Sequence, residues 1–167
     1  DTHLVVRNVS PGNTSELMRS YFNLEQPGNL TIHRIQKRFK KANIEYYWKA
    51  ARLIRQLADE DTVVISRTPK IFPYLLQMRK RPFRIYYETH NFFHDLGRRD
   101  DLNKINFSLR KTAFQEKAAL RKIDGLICLT HTLEDLWKQY VDLPVHVVYP
   151  GLIRDRKSTR LNSRHYS

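Results

Sequence analysis

Six short runs, apolar and β-branched or aromatic in character, recur along this chain, and helical patterns fill several of the gaps between them. The runs are His3–Val6, Thr31–Ile35, Thr62–Ser66, Phe83–Tyr87, Gly125–Leu129 and Val145–Tyr149. Strands that alternate with helices of about ten residues or more require crossover connections, which are right-handed and make neighbouring strands parallel. Val63-Val64-Ile65 and Leu126-Ile127-Cys128-Leu129 are apolar without interruption, which marks them as central strands with both sheet faces covered. The expected class is α/β: a Rossmann-like, mostly parallel sheet with helices on both faces.

The helical segments are read from spacings of three and four. Ile44, Tyr47, Trp48, Ala51, Ile54 and Ala58 share one face of the first. Pro69 opens a second after Thr68, at the N1 position that proline tolerates, and it carries Ile71, Phe72, Leu75, Leu76 and Met78. A third spans residues 106–123, with Phe107, Phe114, Ala118 and Ile123 near one face. The fourth begins at Thr132, has acids in its first turn where the helix dipole favours them, and continues through Leu136, Trp137 and Tyr140.

Composition narrows the class. The chain has 167 residues, enough for one domain with its own core. It contains no run of about 18 apolar residues that would span a membrane. Its opening, DTHLVVRNVS, lacks the basic and apolar regions of a signal peptide. The one cysteine, Cys128, lies in an apolar run, reads as a buried small hydrophobe and points to a reducing, cytoplasmic setting. A net charge of +13 implies a polyanionic neighbour, whether nucleic acid, an acidic membrane surface or phosphorylated ligands.

Residues 1–153 are expected to form one incomplete Rossmann-like domain, followed by a disordered basic tail at 154–167. The stretch DRKSTRLNSRHYS, residues 155–167, has no apolar periodicity and resembles the conceptual translation of a sequencing-library adapter; a genuine flexible tail is the alternative. Setting it aside leaves 26 basic against 16 acidic residues, a balance of +10, so the body is basic in its own right.

Open parallel sheets bind ligands outside the carboxyl ends of their strands. The residues there are Ser66-Arg67, Glu88-Thr89-His90-Asn91, Thr130-His131 and Pro150-Gly151, each polar or turn-forming directly after an apolar run. Their order carries a resemblance. Tyr87-Glu88-Thr89-His90, Glu116-Lys117, Asp124-Gly125, Thr130, Leu143-Pro144 and Val148-Tyr149-Pro150-Gly151 resemble the second half of the N-terminal, acceptor-side domain of family 4 (GT-B) glycosyltransferases. Thr62–Arg67 resembles the family strand that ends in arginine. The likeness covers residues 61–152 well and residues 1–60 in outline. The family domain opens with a further strand, a Gly-rich loop and a helix ahead of the strand that His3–Val6 resembles. The usual Asn-Gly after the last strand is replaced by Pro150-Gly151, and the C-terminal donor domain has no counterpart.

The resemblance implies a GT-B half-domain lacking its first βα unit. It implies a parent enzyme that transfers a sugar from a nucleotide-sugar donor to an acceptor hydroxyl on a glycan, a lipid-linked substrate or a small molecule. Such transfer retains configuration and needs neither a metal nor a cofactor beyond the donor co-substrate. The fragment alone is expected to be inactive without the donor domain. Under that reading His90 orients the donor sugar, as catalytic residue. Arg67, Glu88, Thr130 and Gly151 bind substrate: Arg67 by its bidentate fork, Glu88 by accepting an acceptor hydroxyl or by orienting His90, and Thr130 by its hydroxyl at a helix N-terminus. Thr130 reads equally well as a plain helix cap, and Arg67 equally well as the partner of an acid inside the fold. Glu88, His90 and His94 have spacings that match no standard metal site.

The basic helices 43–58 and 106–123, with Lys37, Arg38, Lys40 and Lys41 before the first, interleave cations with Phe39, Tyr46, Tyr47, Trp48 and Phe107. They suit peripheral docking on an anionic inner membrane face, or simply form a solvated surface. A basic α/β module that binds nucleic acid is the alternative function. No helix-turn-helix, RNP-type or zinc-finger pattern supports it, so no nucleic acid is expected as a partner.

Overall fold

The computed structural model describes residues 1–7, 13–16, 19, 25, 27–36, 38, 43–77, 81–90, 92 and 107–149. All six apolar runs form strands: β1 (Thr2–Arg7), β2 (Leu30–Ile35), β3 (Val63–Ser66), β4 (Arg84–Thr89), β5 (Gly125–Cys128) and β6 (Val145–Val147). The helices are α1 (Ile44–Leu57), α2 (Phe72–Leu75), α3 (Phe107–Leu120) and α4 (His131–Lys138), with a 3-10 turn at Pro69–Ile71 directly before α2. Every strand pairing is parallel. The strands form a two-stranded sheet, β1-β2, and a four-stranded sheet in the order β3-β4-β5-β6. Parallel sheets flanked by helices give the expected Rossmann-like α/β architecture.

The core lies on one face of the four-stranded sheet. Ile85, Tyr87 and Thr89 of β4 and Leu126 and Cys128 of β5 point into it, where Phe72, Leu75, Ala119, Ile123 and Trp137 of the helical layer meet them. The Phe72 and Tyr87 rings meet edge to face with centroids 5.5 Å apart. Phe92 packs in the same manner on Trp137 at 4.7 Å. Burial pushes the Cys128 thiol up to about 11, with a smaller push from Glu134, so it packs as the small hydrophobe expected of it.

The 3-10 turn begins as its sequence predicts. Thr68 caps it by accepting from Lys70 N–H, and Pro69 follows at the helix start. The helix it feeds is short: α2 closes at Leu75, well before Met78, which lies outside the described residues.

Three expectations about packing require correction. β3 is the edge of its sheet, not a central strand, and Val63 and Ile65 are 45% and 55% exposed. On α1 the buried face holds Ala50 and Ala51 with Tyr46, Tyr47, Leu53 and Ile54, which leaves Ile44 and Trp48 outside. The Arg52 guanidinium covers the Trp48 ring instead, 5.7 Å from its centroid. On α3 the inward stripe is Thr112, Glu116, Ala119 and Leu120, continued by Ile123 beyond the helix, while Phe114 is 74% exposed. A polar type at Thr112 and Glu116 hid this stripe from a pattern based on hydrophobicity.

Candidate functional site

The carboxyl ends of β3 and β4 bring three of the expected residues together. In the parallel register Ser66 lies opposite Tyr87, so the residues that follow emerge side by side. Glu88 sits on the face of β4 opposite to buried Tyr87, and His90 follows two residues later on the same side. Arg67 Nε lies 3.0 Å from each Glu88 carboxylate oxygen. His90 Nε2 lies 3.1 Å from Glu88 Oε1. The carboxylate at the centre is 14% exposed, whereas the His90 side chain is 40% exposed and Arg67 more open still. A shielded anion is thus flanked by two groups that open to solvent. Such an arrangement can present a cation and an imidazole to a ligand in fixed relative positions.

The turn that leaves β3 is held locally. Ser66 Oγ accepts from Thr68 N–H and donates to Thr68 O, both at 3.2 Å. This ST-type turn sets the direction in which Arg67 leaves the strand.

Thr130 has a different position. It caps α4, its Oγ1 accepting from Leu133 N–H at 3.2 Å. No hydrogen bond or ion pair joins it to Arg67, Glu88 or His90 among the described residues. Gly151, His94 and the tail at 154–167 lie outside the described residues. So do Asn91, Lys37, Phe39, Lys40 and Lys41. No group of three or more His, Cys, Asp or Glu that would hold a metal ion occurs among the described residues.

Glu116 and Asp124, both part of the ordered motif, face inward structure rather than the strand ends. Glu116 is 1% exposed and accepts a hydrogen bond from the Tyr87 hydroxyl at 2.9 Å. Burial raises its carboxyl to about 7, against a smaller lowering by that hydrogen bond. The same burial, with the Glu116 charge second, pushes the Tyr87 hydroxyl far above its ordinary value. Asp124 ties β5 to the start of β4: its Oδ2 accepts from Ile85 N–H at 2.6 Å and pairs with Arg81 at 2.8 Å.

The structure adds a feature that the sequence did not announce. A cleft of about 250 Å³ opens where the start of α1, the 3-10 turn and α3 meet, with Lys70, Lys111, Tyr47 and Tyr74 in its wall. Lys111 belongs to the basic set of the third helical segment, but nothing in its local pattern links it to Lys70 or to α1.

No family model, curated protein or solved structure matches the chain. Among the described residues, no helix is long and apolar enough to cross a membrane.

Proposed function

We propose that this chain is the acceptor-side half of the cleft of a retaining, metal-independent GT-B glycosyltransferase, and that it transfers no sugar without a donor domain. The observation that carries this reading is the Arg67–Glu88–His90 cluster at the carboxyl edge of a parallel sheet. These are the residues to which the family resemblance gives sugar and substrate contacts, and they converge from two strands.

Sugar transfer of this kind builds positive charge on the sugar and negative charge on the departing diphosphate. A site accelerates it by holding donors and cations where those charges develop. Arg67 supplies a fixed cation. His90, steadied by Glu88, supplies a directed imidazole for a sugar hydroxyl. Thr130 supplies a hydroxyl at the start of α4, beyond its capping bond, and Gly151 completes the substrate-binding set.

The test is transfer by a polypeptide that joins this chain to a donor domain. His90→Ala lowers turnover by about 10²–10³-fold, the scale for losing one group that stabilises a transition state. The melting temperature stays unchanged, because the side chain is 40% exposed. Unimpaired turnover removes His90 from the site.

The exposed face of α1 supports peripheral docking on an anionic membrane, from the cytoplasmic side. Ile44 and Trp48 project outward with Arg52 over the Trp48 ring, which puts apolar groups and a cation on one exposed face. Exposed Phe114 with Arg110 and Lys117 repeats the pattern on α3. Co-sedimentation with anionic but not neutral vesicles at low salt is the expected result. Equal binding to both vesicle types counts against it, and steep salt-dependent retention on DNA or RNA favours the nucleic-acid module instead.

A further inference from the structure

The cleft between α1, the 3-10 turn and α3 brings together side chains from three segments. Its wall includes Asn43, Tyr47, Lys70, Tyr74, Lys111 and Gln115. α1 follows β2 and the 3-10 turn follows β3 in the chain, so the starts of two segments that leave strands border the cleft.

Its chemistry is one-sided. Among the described residues, two lysines line it and no carboxylate does. Helix α1, 14 residues long, points its N-terminus at the same space, and the positive end of the helix dipole adds to the lysine charges. Ammonium groups act as point charges for phosphate. An anion alone leaves the remaining wall unexplained. Gln115 Oε1, in the cleft wall, is buried without a hydrogen-bond partner, as are Arg81 Nη1 and Trp137 Nε1 away from the cleft. A carboxamide turned by half a rotation offers oxygen or NH2 equally, which suits a ligand hydroxyl. Tyr47 and Tyr74 stack with centroids 6.2 Å apart and planes at 24°, and form an aromatic wall of the kind that receives the C–H face of a sugar ring. The volume of about 250 Å³ falls below the roughly 300–1,000 Å³ of drug-sized sites. That volume is on the scale of one ring with one phosphate.

We propose that this cleft binds a monophosphorylated sugar or polyol, its phosphate held by Lys70 and Lys111 at the start of α1 and its ring against Tyr47 and Tyr74. Naming that ligand the acceptor rests on the transferase reading; the binding itself does not.

Titration calorimetry on the 167-residue chain, at physiological ionic strength and with no donor present, tests it. The probes are glucose 6-phosphate, glucose, inorganic phosphate, and vesicles with or without phosphatidic acid. Glucose 6-phosphate is expected to bind about tenfold or more tightly than inorganic phosphate, and glucose weakly. The double variant K70Q/K111Q loses that binding at an unchanged melting temperature, while K49Q/R52Q on the same helix keeps it. Tyr74→Ala weakens glucose 6-phosphate and leaves inorganic phosphate unaffected. Binding to phosphatidic acid vesicles that K70Q/K111Q abolishes, without binding of glucose 6-phosphate, assigns the phosphorylated polyol to a lipid headgroup. Inorganic phosphate binding as tightly as glucose 6-phosphate overturns the proposal, as does equal loss in K49Q/R52Q or no binding of either phosphorylated probe. Glucose 6-phosphate binding beside a silent His90→Ala keeps the cleft and discards the transferase; His90-dependent transfer without binding here does the reverse.

Discussion

Glu116 gives the fold a pH dependence opposite to that of most carboxylates. Its side chain is 1% exposed, and burial lifts it from an ordinary 4.5 to about 7. The folded chain therefore binds this proton more tightly than the unfolded chain. A carboxyl raised in this way contributes stability that is complete below about 4.5, declines as pH rises through about 7, and is level above that. The interval corresponds to about 3 kcal/mol of unfolding free energy, an upper figure because local relaxation admits water to a charged carboxylate. Glu116→Gln removes the titration and keeps the shape and the acceptor for the Tyr87 hydroxyl. Urea unfolding of both proteins across pH 5 to 8.5 isolates the effect, since every other titrating group cancels in the difference. The variant is expected to match the parent at acid pH and to exceed it by about 2–3 kcal/mol at the alkaline end. Tyr87→Phe, which deletes the bond favouring the charged carboxylate, moves the titration to still higher pH in a side-chain carbon NMR experiment. A stability difference that stays flat over the whole range, with Glu116 titrating in the ordinary carboxylate range, refutes the reasoning.

Two further changes follow from local geometry. Thr130→Ala removes the cap on Leu133 N–H and is expected to cost about 1 kcal/mol in urea unfolding, whereas Thr130→Ser restores it. Gly125→Ala places a Cβ 2.7 Å from Tyr86 Cε1 and 2.9 Å from the Pro144 carbonyl oxygen. The ring can swing away but the carbonyl also accepts from Leu126 N–H, so a loss of about 1–3 kcal/mol is expected by thermal melting.

Strand positions were legible because a strand needs only a short apolar run, and each run here is bounded by polar or turn residues. Which side of a helix faces inward was less legible. Phe114 on α3 and Trp48 on α1 look like core residues by type, yet both are exposed, while Glu116 and Thr112 are buried. What reverses the expectation is a partner: the Tyr87 hydroxyl, 29 residues away in sequence, makes a buried carboxylate tolerable. Asp124 poses the same difficulty, since its clamp on Ile85 N–H spans 39 residues. Arg67, Glu88 and His90 were found because parallel strands deliver their ends to a common edge, a rule that needs no side-chain detail. The cleft at Lys70 and Lys111 escaped notice because its wall draws on three segments between residues 43 and 115, none of which carries a motif.

The strand-end cluster bears on the two roles that the proposed transfer leaves open to Glu88. Both of its oxygens lie within hydrogen-bonding distance of Arg67 Nε, and one is shared with His90. Arg67 Nε–H and His90 together offer two N–H groups to a carboxylate with about four acceptor positions, so part of it stays open to a hydroxyl. It is also well placed to fix the imidazole. An ionised carboxylate only accepts, so the nitrogen facing it must carry the proton, and the Glu88 contact selects the Nε2–H tautomer of a neutral His90. The ring then turns Nδ1 away from the carboxylate, as an acceptor for a sugar hydroxyl when neutral and as a donor when protonated. Arg67 completes the effect by holding the Glu88 side chain from the other strand. Under the proposed transfer, Glu88 is a positioning residue that aims the His90 ring.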